Sequence, residues 1–196
     1  MRTDSQSKLI TAIKLRDPSM VDWAIKKGAN INAVNDDGAT PLLLSVMWNS
    51  GGEMAAYLIS KGAAVNCALR GFTPLMIAAQ EGYLDTVAVL ITLGADLEAA
   101  EENGLTSLMA AARDGHIEIV RLLLEAGANW NTKTLAGSTA LDVARHFGQA
   151  EIVELLEQRS GIRARRSFFT ELSGRVGVSD CSNNEDSHPE LREDKP

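Results

Sequence analysis

Residues 71–95 read GFTPLMIAAQEGYLDTVAVLITLGA. Gly71 suits a tight turn. Thr73 stands where a helix needs an N-cap, with a hydroxyl able to accept from an orphan amide, and Pro74 fits the first helical position, where no N–H is used. A short helix is predicted from Pro74 to Glu81 and is broken at Gly82. A second helix follows to about Leu93, carrying Leu84, Val87, Val89, Leu90 and Ile91 at helical spacing. Gly94, followed by Ala95, is placed for a left-handed C-cap. Neither helix can bury its own apolar face, so the unit must stack on others.

The chain contains such others. Thr40-Pro41-Leu42, Thr73-Pro74-Leu75, Thr106-Ser107-Leu108 and Thr139-Ala140-Leu141 stand 33 residues apart, each threonine preceded by a glycine two residues earlier. Out of phase with them run Gly28-Ala29, Gly62-Ala63, Gly94-Ala95 and Gly127-Ala128, at intervals of 34, 32 and 33. Small pairs, Ala78-Ala79 and Ala110-Ala111, allow neighbouring helices to approach closely.

With these motifs the chain resembles an ankyrin repeat protein, over roughly residues 5–159. The resemblance implies an all-α solenoid of about five stacked helix-turn-helix units with β-turn or hairpin fingers. The expected division is a capping unit at 1–34, three internal units over 35–133, a C-terminal capping unit at 134–159, and a tail at 160–196. In the first unit Lys8, Lys14 and Arg16 keep one face wet, and in the last Glu151, Glu154 and Glu157 alternate with Ile152, Val153, Leu155 and Leu156 as an amphipathic closing face.

Two departures from the family's pattern stand out. The family often places histidine after Thr-Pro-Leu, where it bonds backbone; here those positions hold Leu43, Met76, Met109 and Asp142, so apolar packing must replace that network. The second unit is irregular: its inter-helix loop, Asn49-Ser50-Gly51-Gly52, is one residue longer than its counterparts, and the following turn, from Gly62 to Gly71, is one residue shorter. The groove is expected to deviate there.

Composition bounds the function. A formal charge of −7 and a pI near 5.0 repel a phosphate backbone and argue against nucleic acid. No apolar run of about 18 residues exists and the first residues resemble no export signal, so neither a membrane nor secretion is expected. Cys67 and Cys181 fit neither a zinc site nor a disulfide framework, which points to a reducing compartment, the cytoplasm with the nucleus as the alternative. No phosphate loop, dinucleotide fingerprint or nucleophile elbow is present. His116 falls where the family carries a structural histidine, His188 lies in the tail, and His146 has no second ligand at a useful spacing; Glu98, Glu101 and Glu102 read as a solvated turn. No enzyme activity, cofactor or metal is expected, and a metal or hydrolase site at His146 is the third-ranked alternative.

A protein-binding surface remains, on a chain expected to be monomeric. In ankyrin-like stacks the fingers and first helices line a concave groove. By that resemblance the partner-contacting positions are Asp36, Asp37, Met47 and Trp48 in the second unit, and Leu69, Arg70, Phe72 and Glu81 in the third. They continue with Glu102, Asn103, Leu105, Arg113 and Asp114 in the fourth, and His146 and Phe147 in the last. Trp48, Leu69, Phe72 and Leu105 are bulky enough to form one apolar anchor patch flanked by Met47 and Arg70, unless Trp48 and Phe72 fold inward. Trp23 and Trp130 are expected to pack in the core, and Asn32, Asn66 and Asn131 to bond nearby backbone in their turns.

The tail splits into a basic part, with Arg163, Arg165, Arg166 and Arg175 around Phe168-Phe169, and an acidic part. It is expected to be disordered, with a short motif at 162–172 that folds on a partner or back on the solenoid as the alternative. Arg165-Arg166-Ser167 also has the look of a basophilic kinase site. If the tail carries the signal, the solenoid is a scaffold.

Overall fold

The computed structural model describes residues 4–160, so the tail at 161–196 lies outside the described residues, as does Cys181. The described chain forms ten helices in five antiparallel pairs. They are α1 (Asp4–Leu15) with α2 (Pro18–Lys26), α3 (Pro41–Met47) with α4 (Gly52–Ser60), α5 (Pro74–Glu81) with α6 (Leu84–Thr92), α7 (Ser107–Asp114) with α8 (Ile117–Glu125), and α9 (Ala140–His146) with α10 (Ala150–Arg159). Each first helix packs on the first helix of the next unit, and α4, α6, α8 and α10 pack in turn on one another, as stacking requires.

The repeated threonines cap as their spacing predicts. The Oγ1 atoms of Thr40, Thr73, Thr106 and Thr139 accept from the N–H of Leu43, Met76, Met109 and Asp142 at 3.3–3.4 Å. Leu43, Met76 and Met109 are themselves buried, so apolar packing fills the place of the family's histidine. At Asp142 the replacement is polar: its carboxylate accepts from the Thr139 N–H at 3.0 Å and from the hydroxyl at 2.7 Å, completing a capping box. The Thr139 N–H, and after it the hydroxyl, hold the Asp142 carboxyl below its ordinary value. A carboxylate depressed in the folded state stabilises above its unfolded pKa and loses that contribution as pH falls through the folded one. Asp142→Ala is therefore expected to cost about 0.5–1 kcal/mol at pH 7, with the difference from the parent shrinking towards pH 2–3. Urea unfolding at the two pH values checks this.

Two ladders of hydrogen bonds tie successive units. On the finger side, Gln6 first pairs with Asn30 within the first unit through both its amide atoms (3.0 and 3.1 Å), and the bonds between units follow. Asn32 donates to the Gly62 carbonyl and accepts from the Ala64 N–H, both at 2.9 Å. Asn66 accepts from the Asp96 N–H, and Glu98 accepts from the Asn129 N–H and the Thr132 hydroxyl. This corrects the expectation for Asn32 and Asn66, which reach the following unit. The local turn bonds come from residues two positions earlier, Asn30, Asp96 and Asn129. On the loop side the Ser50 hydroxyl donates to the Ile13 carbonyl, His116 Nε2 lies 2.9 Å from the Gln80 carbonyl, and Gln149 Nε2 donates to the Arg113 carbonyl at 3.0 Å. A carbonyl only accepts, so His116 Nε2–H is the donor in this bond.

Buried apolar side chains form two large clusters. One joins α1, α2 and α4 around Leu9, Ile13, Val21 and Leu58; the other runs from α5 to α10 around Leu90, Leu108, Leu123 and Leu156. They meet at α3, whose Leu42 belongs to the first and Val46 to the second. The irregular second unit is thus also the seam of the core.

Trp130 is half-buried against the second cluster. Trp23 corrects the expectation: it is 40% exposed, with the Lys8 ammonium 4.5 Å from its ring centroid. Its counterpart five residues before the next-but-one turn glycine is Val89, which presses on Gly52 of the preceding unit. No unit precedes Trp23 among the described residues to cover it in the same way.

Candidate functional site

Three of the four fingers close with three residues between paired positions. The Asn35 N–H donates to the Ala39 carbonyl, Glu101 to Leu105 and Thr134 to Ser138 (2.9–3.1 Å). The finger of the third unit is one residue shorter and turns differently. Leu69 and Phe72 exchange both backbone hydrogen bonds at 3.0 Å, with only Arg70 and Gly71 between them, at φ 52° and 82°. Positive φ at both central residues defines the tight hairpin turn that usually carries Asn-Gly. Its consequence is positional: directly opposed residues of an antiparallel pair project on one face. The shortened finger thereby sets two bulky apolar side chains, Leu69 and Phe72, side by side.

They border a depression of about 600 Å3 between the second and third units, lined by Asp37, Met47, Leu69, Arg70, Phe72, Ile77, Gln80 and Glu81. Leu69 is anchored: it packs against the small cluster of Ala39, Leu43 and Leu44, and a Cβ on Gly38 would come within 3.1 Å of its Cδ1. Phe72 and Ile77 are half-buried, and Met47 is 47% exposed. Asp37, Arg70 and Glu81 are exposed at the rim. Asp37 accepts from the Asn35 amide at 3.2 Å and Glu81 from the Gln80 amide at 3.3 Å.

The other sequence-selected positions lie elsewhere on the stack. Trp48 is the C-cap of α3 and 41% exposed, so it does not fold inward, but neither it nor Leu105 lines the depression. Arg113 and Asp114 form an ion pair at 2.9 Å, and the Asp114 carboxylate raises the Arg113 pKa. Asp36, Glu102 and Asn103 are exposed finger residues. His146 stacks edge-on against Phe147 with ring centroids 5.0 Å apart, and Phe147 is 53% exposed. Sequence reasoning missed Ile77. Its signal was a bulky residue at the fourth position after the capping threonine, where the next unit has the buried Ala110.

The remaining polar candidates have structural partners. Glu98 bridges two turns as described, and Glu101 accepts from Asn103 and from the Leu105 N–H within its own finger. Cys67 Sγ lies 3.1 Å from the Thr40 hydroxyl, and burial pushes its thiol pKa up. Among the described residues no group of three metal-ligating side chains converges, and no helix is long and apolar enough to cross a membrane.

A family model described as ankyrin repeats, in three copies, matches residues 9–101 and 93–166. Among characterised proteins, cyclin-dependent kinase 4 inhibitor B of Rattus norvegicus is 35% identical over 99 residues, which is 50% of this chain and 75% of that protein. The Mus musculus protein of the same name is 34% identical over the same shares. The ankyrin repeat and KH domain-containing protein mask-1 of Caenorhabditis elegans is 32% identical over 103 residues, 50% of this chain and 4% of that one.

Proposed function

This chain belongs to the ankyrin repeat family, whose stacks are protein-interaction modules, and on that premise we propose that it binds a protein partner through its concave face, without catalysis. The observation that carries this is the apolar pair Leu69 and Phe72, held side by side by the shortened finger at the edge of a depression that also takes in Met47 and Ile77. An apolar anchor of the partner would be desolvated there. Asp37, Arg70 and Glu81 at the rim, with Asp36, Glu102 and the Arg113–Asp114 pair further along, would set orientation and selectivity. No cofactor or metal has a part in this reading. A nucleic-acid partner is disfavoured by the net charge of −7. The monomeric state, the unit boundaries after residues 34, 133 and 159, and a cytoplasmic or nuclear location belong to the same proposal.

The test is capture by four baits: the full-length parent, full-length Met47→Ala with Phe72→Ala, full-length Trp48→Ala, and a chain that ends at Ser160. The relatives' name supplies a first purified probe, cyclin-dependent kinase 4, beside a lysate of the native cell. The double variant is expected to bind at least tenfold more weakly, since a central anchor residue contributes about 2 kcal/mol or more, while Trp48→Ala changes little. Undiminished capture by the double variant would overturn the groove reading. Loss only on removal of the residues after Ser160 would move the function to the tail, with the solenoid as scaffold.

A further inference from the structure

The concave face carries a charge and an apolar pattern that another part of the chain mirrors. Asp36, Asp37, Glu81 and Glu102 outnumber Arg70, while Arg113 and Asp114 cancel as a pair, which leaves a formal −3 along the groove. Residues 162–175 carry four arginines and one glutamate, a formal +3. The chain has four phenylalanines: Phe72 and Phe147 stand at concave positions, and Phe168 and Phe169 are adjacent in this segment.

The end of α10 fixes where the segment departs. α4, α6 and α8 each end in a C-cap, Lys61, Leu93 and Ala126, followed by a glycine from which the chain turns into a finger bordering the groove. α10 ends in the same manner at Ser160, and Gly161 follows 34 residues after Gly127. Arg159 bonds the Leu124 carbonyl, which docks this helix end on the finger-side end of α8. The chain is therefore delivered at the finger edge of the stack. Phe168 and Phe169 come eight and nine residues later, a reach of up to about 30 Å. The depression lies two to three units back, and packed helices are about 8–10 Å apart, so the reach just spans the distance.

We propose that residues 162–175 occupy the groove of this same molecule, with Arg163, Arg165 and Arg166 along its acidic rim and Phe168-Phe169 in the depression between the second and third units. A partner must then displace the segment, so the tail regulates the site. This rests on the reading of the depression as the binding site.

The experiment uses the full chain with photoreactive p-benzoylphenylalanine in place of Phe169, irradiated at high dilution, with adducts mapped by mass spectrometry. The expected result is an intramolecular adduct on peptides containing Met47 or residues 69–81. Its yield should fall severalfold in Arg165→Glu with Arg166→Glu, and again in high salt, where exposed charges are screened. The charge-reversed partner variant, Asp37→Lys with Glu81→Lys, should restore the yield of the Arg→Glu protein. Adducts on the outer helices, adducts only between molecules, or none at all would overturn the proposal. The two readings fail separately. If Met47→Ala with Phe72→Ala loses the partner but no internal adduct forms, the groove binds and the tail does not occupy it. If the adduct forms while capture ignores the groove variants, the tail docks on a surface that is not the partner site.

Discussion

Gly82→Ala is expected to lower stability by about 2–3 kcal/mol, more than its small change in volume suggests. Two separate effects meet at this position. Gly82 ends α5 in the left-handed conformation, at φ 80°, which an L side chain adopts only with strain. A Cβ built there would also stand 2.6 Å from His116 Cε1. The ring cannot simply move away, because its Nε2–H is held by the Gln80 carbonyl. The substitution therefore forfeits a bond that ties the third unit to the fourth. Gly94→Ala is the control: φ is 85° and nothing lies within 4 Å of the added methyl, so only the backbone term of about 1–2 kcal/mol remains. A double-mutant cycle separates the terms. In a His116→Ala background, Gly82→Ala should cost no more than Gly94→Ala in urea unfolding. Equal cost in both backgrounds would show that the ring does not rest on Gly82.

Much of this fold was legible because its signals are local. A threonine before a helix and a glycine after it act within one turn of backbone, so the 33-residue recurrence of the threonine locates four units, and Gly28-Ala29 adds the first, without tertiary information. The irregular second unit was legible too, as one residue gained in a loop and one lost in a finger. What spacing could not give was the consequence. The lost residue changes the turn type, and the new turn sets Leu69 opposite Phe72. The bonds from Asn32, Asn66 and Glu98 were illegible for the opposite reason: they cross 30 or more residues, and an asparagine in a turn looks the same whichever backbone it meets. Trp23 occupies a position that is covered in internal units, and its exposure depends on what stands before it in the stack rather than on its own helix. The candidate site shows the same division. The residue types were readable from the resemblance, but the grouping of Met47, Leu69, Phe72 and Ile77 apart from Trp48 and Leu105 depends on how two fingers of unequal length lie against each other.

The other large effect is expected at Leu123, where truncation to alanine should cost about 2–5 kcal/mol. Leu123 is fully buried in α8, within the cluster that runs from α5 to α10. Stability in a stack is approximately a sum of unit terms and neighbour-interface terms, so a cavity here weakens the fourth unit and with it the contacts to the third and fifth. Leu156→Ala removes an equally buried leucine from α10, at the last unit described. The molecule can answer that loss by opening the last unit alone, which leaves the rest folded. The two variants should therefore differ in kind. Leu123→Ala should shift the main guanidinium transition, followed by helical circular dichroism. Leu156→Ala should instead broaden it, with a lower apparent m, because less surface remains to be exposed in the main step. The seam at α3 predicts where the Leu123→Ala protein yields first. Leu9, Ile13 and Leu58 belong to the other cluster and do not feel the cavity directly, so in a Trp130→Phe background, which removes the tryptophan packed on the Leu123 cluster, emission from Trp23 and Trp48 should lag the loss of helix on the far side. If Leu123→Ala costs less than about 1 kcal/mol, or both tryptophans report the same midpoint as the helices, then α8 is not the central packed element, and the stack unfolds as one body across its seam.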